Sequence, residues 1–192
     1  MPWLIVILGY FLGAIPTACI AGHLRKGRNI LEMGDGNMGA ANAFRQLGAK
    51  TGVVVGIIDA GKGALAILIA QTTNLPQVAV MLTGVAVVAG HNWSAFIGFR
   101  GGRGESTTIG VLLALITQPM LILLGPTLAT LLIKRNVTIA SCILFIPLPL
   151  LCWFIGVPGV LIGFSIGLPC LVGVTDFVKR RQLARTSGAG SA

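Results

Sequence analysis

Charged residues are scarce in this chain of 192 residues, where they make up 10% of the total, against roughly 25% in soluble domains. Long runs of Leu, Ile, Val, Ala and Gly carry almost no charge. An apolar run of about 18 residues is long enough to cross a bilayer as a helix. The scarcity of charge excludes a water-soluble globular domain, and we predict an all-α integral membrane protein built as one domain.

Carboxylates are scarcer still, and several kinds of reactive motif are missing with them. Asp and Glu together number five, the four cysteines form no CxxC pair, and neither an HExxH nor a GxSxG sequence occurs. These absences argue against metal-dependent hydrolysis, a thiol redox centre and a serine hydrolase. We expect no metal and no organic cofactor. An enzyme with this composition would work by positioning its substrates and stabilising phosphate charge.

Apolar segments fill most of the chain. Seven can be counted, at about 2–22, 51–70, 78–97, 105–118, 120–133, 138–156 and 158–177. About seven transmembrane helices are therefore predicted. The fourth and fifth segments are short, tilted or re-entrant in this interpretation, and five spans are the alternative. We place one transmembrane domain over 1–178 and a basic polar tail over 179–192.

The net charge of +9 is confined to four groups between or after the apolar segments. They are Arg25, Lys26, Arg28, Arg45 and Lys50; Arg100 and Arg103; Lys134 and Arg135; and Lys179, Arg180, Arg181 and Arg185. With seven spans all four groups lie on one side, which the positive-inside rule assigns to the cytoplasm. The N-terminus is then outside and the tail cytoplasmic. Because this charge follows membrane topology, we expect no nucleic-acid partner.

A glycine-rich polar loop, GDGNMGAANAFRQLG, follows the first apolar segment at 34–48. Glycine lets successive backbone N–H groups point into one concave, anion-binding nest. A helix that starts near Asn42 would add the partial positive charge of its N-terminus, and Arg45 could bind phosphate in bidentate fashion. The alternative is a flexible turn with a capping asparagine.

Two further polar features lie near the same side. Asp59 and Lys62 occur inside the second apolar segment, where charges are costly and are usually functional or mutually paired, and their i, i+3 spacing allows a direct ion pair. A purely structural ion pair is the alternative. In GHNWSAFIGFRGGRGESTT at 90–108, Arg100 and Arg103 flank two glycines. His91 is a candidate general base, or a helix-end histidine bound to backbone. Together these stretches indicate a phosphorylated ligand at the bilayer surface.

In this order the three stretches resemble the motifs of the bacterial acyl-phosphate:glycerol-3-phosphate acyltransferases, the PlsY family. The first family motif, approximately G-S-G-N-x-G-A-T-N-x-x-R-x-x-G, matches residues 34–48. The second, D-x-x-K-G, matches Asp59, Lys62 and Gly63. The third, G-H followed by F-x-G-G-K-G, matches residues within 90–104. Each motif is weak alone, but all three in order are specific.

The resemblance implies a multi-pass enzyme of the bacterial inner membrane whose active site faces the cytoplasm. Its domain would be acyltransferase-like and would move a fatty acyl group from acyl phosphate to the 1-hydroxyl of glycerol 3-phosphate. The products would be lysophosphatidic acid, a phospholipid precursor, and phosphate. Acyl phosphate, glycerol 3-phosphate and membrane lipid are then its partners, with an upstream enzyme that produces acyl phosphate as a further one.

The resemblance also implies roles for individual residues. The expected catalytic residues are Asn37, Arg45, Lys62, His91 and Arg103. The expected substrate- and phosphate-binding residues are Gly34, Asp35, Gly36, Gly39, Asn42, Asp59, Gly101, Gly102, Gly104 and Ser141.

This sequence departs from the family pattern at several positions. Asp35 stands where the family has serine, Ala41 where it has threonine, and Arg103 where it has lysine. A C-terminal H-x-x-N-x-x-R-L motif lacks its His and Asn here. A carboxylate beside phosphate is unfavourable unless it turns away or pairs with an arginine. The alternative function is a catalytically impaired paralogue that binds phosphorylated lipid precursors or a partner enzyme, and a small transporter is a weaker one.

Overall fold

The structure, a computed structural model, describes residues 2–188, and α-helices account for most of that range. Ten are present there: α1 (Pro2–Ala14), α2 (Thr17–Lys26), α3 (Ala40–Leu47), α4 (Ala49–Thr72), α5 (Gln77–Asn92), α6 (Glu105–Leu115), α7 (Thr117–Lys134), α8 (Val137–Phe145), α9 (Leu148–Ile155) and α10 (Gly159–Gly188). Short 3-10 turns occur at Ile30–Glu32, just before the glycine-rich loop at 34–48, and at Ala95–Ile97, inside the glycine-rich stretch at 90–108. The loop at 34–48 is called the first loop below, and the stretch at 90–108, which carries the third motif, is called the third loop. The predicted all-α membrane architecture is confirmed.

Within residues 2–188, five helical stretches are long and apolar enough to cross a bilayer. They are Trp3–Lys26, Ala49–Thr72, Thr117–Lys134, Val137–Ile155 and Gly159–Arg181. Two shorter apolar helices, Gln77–Asn92 and Glu105–Leu115, correspond to the third and fourth predicted segments. The number of helices that cross the membrane, and their orientation, stay predictions.

The predicted third segment was too long, and the fifth was too short. Helix α5 stops at Asn92 because Ser94 leaves the helix: its hydroxyl donates to the carbonyl of Ala14, 2.5 Å away on α1. The Ser94 amide also donates to the carbonyl of Arg100 at 3.1 Å. The chain therefore turns sharply after α5, and residues 95–97 belong to the third loop.

Glycine allows two pairs of helices to approach closely. A Cβ at Gly13 would overlap the backbone of Val87, and one at Gly90 would overlap the backbone of Tyr10, where α1 packs on α5. Helices α4 and α6 meet in the same way at Gly110. Small residues of this kind are common where membrane helices pack, because they bring the backbones together. The two pairs anchor the ends of both glycine-rich loops.

Two apolar clusters form the core. The larger joins α4 to α10 through fully buried side chains such as Val87, Leu112 and Leu144. The smaller lies under the first loop and includes Ile30 and Met38. By contrast, Leu132, Ile146 and Phe154 on the outer surface are exposed by 77%, 74% and 71%, which is typical of side chains that face lipid. Helix α10 continues past its apolar part to Gly188, so the described part of the predicted tail is helical.

Candidate functional site

The first loop is shaped from inside by Asn42. Its side chain is fully buried, and its amide nitrogen donates to the carbonyls of Met33 at 2.9 Å and Asn37 at 2.8 Å. Gly34 has a φ of +59°, and a Cβ there would overlap the Asn42 amide. Gly36 has a φ of +63°. The two glycines are required for this turn, and Asn42 supports the loop, while its predicted contact with phosphate stays a prediction.

The loop ends at the N-terminus of α3, two residues before the start that the sequence indicated. Gly39 precedes the helix in an extended conformation. Asn37 lies beside it, 8% exposed, and its side-chain oxygen has no hydrogen-bond partner among residues 2–188. Free backbone N–H groups at a helix start are consistent with the predicted anion site, whereas the Asn37 oxygen is an acceptor and adds no donor to it.

Asp35 joins the first and third loops. One oxygen of its carboxylate, Oδ2, lies 2.8 Å from a guanidinium nitrogen of Arg45 and 3.3 Å from one of Arg103. Of the two arrangements that the sequence left open, pairing with an arginine is the one observed, and it involves two arginines. Arg45 and Arg103 therefore converge on one point from separate motifs.

The third loop is folded against the end of α5. The Gly102 amide donates to the carbonyl of His91 at 3.0 Å, and a Cβ at Gly102 would overlap the His91 imidazole. Gly101 lies so close to the backbone of Asn92 that a side chain would not fit. Gly104, with a φ of +84°, leads into α6, which begins at the first residue of the fourth predicted segment. The glycines permit the close approach expected from the sequence.

Below this loop lies a buried polar cluster centred on Asp59. Its Oδ1 atom is 2.9 Å from the Lys62 ammonium and accepts a hydrogen bond from the Thr17 hydroxyl at 3.0 Å. The nearest ring nitrogen of His91, Nδ1, is 3.6 Å away, too far for a hydrogen bond. Asp59, Lys62 and His91 are 1%, 5% and 2% exposed. The ion pair expected from the i, i+3 spacing is present, and Lys62 also donates to the carbonyl of Ile15 at 3.1 Å.

Two residues of α10 belong to the site although sequence reasoning missed them. Asp176 lies 2.9 Å from Arg103 and 2.7 Å from Arg180. Lys179 donates to the carbonyls of Asn92, Gly101 and Gly102 at 3.1, 2.8 and 2.6 Å. The only sequence signal was that Asp176 is one of five carboxylates, placed at the end of an apolar segment.

Ser141, predicted to add a hydroxyl to the substrate site, contacts another acid. Its hydroxyl forms a hydrogen bond with Glu105 in the first turn of α6 and lies 2.7 Å from the carbonyl of Val137. The structure thus connects Ser141 to Glu105, the residue after the third loop, and any contact with substrate stays a prediction.

An apolar groove of about 390 Å³ leads away from the buried cluster between α1 and α4. Its lining includes Leu8, Leu12, Ile15 and Ile69, with Phe96 from the third loop. Ile15 is common to both features, since its carbonyl binds Lys62. The groove therefore offers a surface suited to a hydrocarbon chain, and it meets the buried cluster at the Ile15–Lys62 contact.

The amino-acid sequence is similar to a family of named enzymes. Residues 3–185 match the family model described as glycerol-3-phosphate acyltransferase. The chain is 48% identical to glycerol-3-phosphate acyltransferase 4 of Dehalococcoides mccartyi over 182 residues, which cover 95% of this chain and 98% of that one. It is 38% identical to the glycerol-3-phosphate acyltransferase of Chlorobaculum tepidum over 77% of this chain and 68% of that one.

Solved structures agree with the sequence relatives. The fold superimposes on the crystal structure of PlsY, an integral membrane glycerol 3-phosphate acyltransferase, in its glycerol 3-phosphate form, with a TM-score of 0.81 and 31% identity over 96% of this chain and 92% of that one. The lysophosphatidic acid form of the same enzyme gives a TM-score of 0.78 at the same identity and coverage.

Proposed function

Because the chain belongs to the glycerol-3-phosphate acyltransferase family, we propose that it transfers a fatty acyl group from acyl phosphate to the 1-hydroxyl of glycerol 3-phosphate. The products are lysophosphatidic acid and inorganic phosphate. The observation that carries the proposal is the convergence of Arg45 and Arg103, from two separate loops, on the oxygen of Asp35. An upstream enzyme supplies the acyl phosphate, and the reaction takes place at the cytoplasmic face of a bacterial inner membrane.

Both substrates of this reaction carry phosphate, and the site offers donors suited to it. Guanidinium groups bind phosphate through planar, paired N–H donors. The first loop adds backbone N–H groups at the start of α3. Arg103 comes from the other loop and meets Arg45 at the same point, so that one phosphate group can contact both arginines. Holding two reactants in this way lowers the entropic part of the barrier to a bimolecular acyl transfer.

The acyl transfer proceeds by direct attack of one substrate on the other and needs no covalent intermediate with the protein. The oxygen of the substrate hydroxyl attacks the carbonyl carbon of the acyl phosphate, and the bond from that carbon to the phosphate oxygen breaks. The hydroxyl proton passes to the departing phosphate, which leaves as hydrogen phosphate. Cations close to the phosphate stabilise the charge that develops on it as it leaves. We assign this role to Arg45 and Arg103.

The buried cluster supports the third loop from below. His91 fills the space that the missing side chain of Gly102 leaves, and Asp59 and Lys62 fix the helices around it. His91 is the side chain of this cluster nearest the loop and the candidate base if the leaving phosphate does not take the proton. The groove beside Ile15 accommodates the acyl chain, which keeps the reacting carbonyl near the membrane surface.

The proposal is tested by turnover of the purified protein in lipid nanodiscs. Freshly prepared acyl phosphate and labelled glycerol 3-phosphate should yield labelled lysophosphatidic acid and one phosphate per product, whereas acyl-CoA should yield little. Arg45→Gln should reduce the rate, while Arg28→Gln, a change of an exposed arginine with no ion pair among the described residues, should not. Absence of product with acyl phosphate, in protein that keeps its fold, would refute the activity.

One observation favours the alternative of an impaired paralogue, namely the carboxylate of Asp35 between the two arginines. That protein would bind glycerol 3-phosphate but form no product with either donor. Equilibrium binding measured beside the turnover assay separates the two functions. Binding without turnover identifies the paralogue.

A further inference from the structure

The Asp35 carboxylate lies where an anionic ligand of Arg45 and Arg103 would lie. Its Oδ2 atom is 2.8 Å from a nitrogen of Arg45 and 3.3 Å from a nitrogen of Arg103. Both distances are within the range of ion pairs to a phosphate oxygen. We propose that Asp35 is an internal anion that occupies the phosphate position, so that the phosphate of a substrate binds by displacing it. The identity of that substrate as glycerol 3-phosphate or acyl phosphate rests on the proposed function.

The argument begins with the donors. Arg45 forms its only recorded ion pair within residues 2–188 with Asp35. Arg103 uses NH1 for Asp176 and NH2 for Asp35, while its buried Nε has no hydrogen-bond partner. The N–H donors of a guanidinium group keep a fixed planar arrangement. With both arginines in the positions observed here, a phosphate that uses both places an oxygen close to the position of the Asp35 oxygen.

The contacts of the Asp35 carboxylate are weak enough for a phosphate to displace it. The Asp35 side chain is 26% exposed, and ion pairs at such exposure are weak because solvent screens them. Gly34 and Gly36 flank it, both with positive φ, so the loop has no bulky neighbour that locks the side chain in place. A phosphate carries up to two negative charges and more acceptor oxygens than a carboxylate. It competes well for the same donors, and it would repel Asp35 if the two stayed together.

Asp35 also has a structural role that a test must preserve. Its other oxygen, Oδ1, accepts a hydrogen bond from the Asn37 amide at 3.3 Å, which forms a local turn of a kind that Asn and Ser side chains also make. Asp35→Asn therefore removes the charge and keeps the acceptor. Asp35→Ser keeps a shorter acceptor, and Asp35→Glu keeps the charge. The three variants separate the charge from the turn.

The proposal predicts that loss of the charge strengthens phosphate binding. For Asp35→Asn and Asp35→Ser we expect the dissociation constants of inorganic phosphate and glycerol 3-phosphate to fall by about three- to fivefold, the upper range of an exposed ion pair. Asp35→Glu should stay within about twofold of the natural chain. The matched control is Glu32→Gln, which removes one negative charge three residues before Asp35, at an exposed residue that has no ion pair in the described part of the chain.

The experiment is isothermal titration calorimetry of the full chain in nanodiscs at fixed ionic strength, with inorganic phosphate and with glycerol 3-phosphate. Tighter binding by Asp35→Asn or Asp35→Ser, with Glu32→Gln unchanged, supports the internal anion. Equal or weaker binding in the charge-removing variants overturns it, as does the same gain in Glu32→Gln, which would show a general charge effect. If Asp35→Asn does not fold, judged by its thermal transition, Asp35→Ser decides.

Turnover tests the proposed function, and phosphate binding tests the internal anion, so either proposal can be refuted without the other. If neither the natural chain nor a variant forms lysophosphatidic acid, the proposed function fails, yet tighter phosphate binding in the variants still supports the internal anion. If turnover is normal and the variants bind phosphate no better, the internal anion fails while the proposed function stands.

Discussion

The Asp59 carboxylate and the Lys62 ammonium lie 2.9 Å apart inside α4, with side chains 1% and 4% exposed. Both residues of this ion pair also form hydrogen bonds to the N-terminal helices or the turn between them. Thr17 of α2 donates to the same carboxylate, and Lys62 donates to the carbonyl of Ile15 in the turn between α1 and α2. The pair thus joins the N-terminal helices to α4, directly below the loop that carries Arg103.

Removal of the Lys62 charge should destabilise the protein strongly. Lys62→Met leaves the Asp59 carboxylate buried without a counter-ion, which costs about 3–5 kcal/mol. We expect a large fall in the thermal transition in nanodiscs, and a smaller one for the double variant Asp59→Asn, Lys62→Met, because no unpaired charge stays buried. Lys26→Met, at an exposed lysine, is the control. Equal stability of Lys62→Met and the control would contradict the role of this pair.

Replacement of Gly102 should damage the third loop. The methyl group of Gly102→Ala would overlap the His91 imidazole, so the loop or the histidine must move, at a cost of about 1–3 kcal/mol. We expect kcat/KM for glycerol 3-phosphate to fall at least tenfold, roughly the effect of 1.4 kcal/mol. The matched variant is Gly61→Ala on α4, where a Cβ meets nothing within 4 Å. That variant should be as active as the natural chain; a similar loss in both would refute the steric argument.

Lys179 should act as a positioning residue for the same loop. Its ammonium has three hydrogens and donates to three carbonyls, those of Asn92, Gly101 and Gly102. Lys179→Met removes all three hydrogen bonds, each contributing about 1 kcal/mol. We expect a higher KM for glycerol 3-phosphate, because Arg103 follows directly in the chain, and faster hydrogen exchange in the loop.

The control for this prediction lies half a helical turn away. Arg181 stacks over the Phe177 ring at 4.6 Å and makes no recorded contact with the third loop. Arg181→Met should leave both KM and loop exchange unchanged. Lys179→Gln should be less damaging than Lys179→Met, because its side-chain amide supplies a hydrogen-bond donor to the loop. Unaltered loop exchange in Lys179→Met would show that the ammonium does not hold the loop.

Arg103 and Arg100 offer a test within one loop. Arg103 lies between Asp35 and Asp176, whereas Arg100 is exposed and has no ion pair among residues 2–188. Arg103→Met should lower kcat/KM by about 10²-fold, the effect of losing a charge-assisted contact of 2–3 kcal/mol. Arg100→Met should change it less than twofold, by the standards of a solvated surface charge. Initial rates at several glycerol 3-phosphate concentrations provide the comparison. Equal losses of kcat/KM in the two variants would contradict a specific role of Arg103 in binding phosphate.

Local sequence features were sufficient for much of the site. The predicted starts of α3 and α6 lie within two residues of the observed ones, because glycine and polar residues mark helix ends. The Asp59–Lys62 contact followed from helical spacing alone. The end of α5 did not, since Ser94 terminates it through a hydrogen bond to Ala14, 80 residues away in sequence. No local pattern contains that partner.

The sequence by itself determined the membrane class, the helices and the two glycine-rich loops, because hydropathy, helical period and backbone freedom act over a few residues at a time. Only the tertiary structure decided which charges meet. Asp35 could turn away from the arginines or bind them, and packing of the loops placed it between Arg45 and Arg103. Lys179 reaches the third loop from 78 and 77 residues away. Such contacts depend on how helices pack, and the pairing of distant side chains is a property of the assembled bundle.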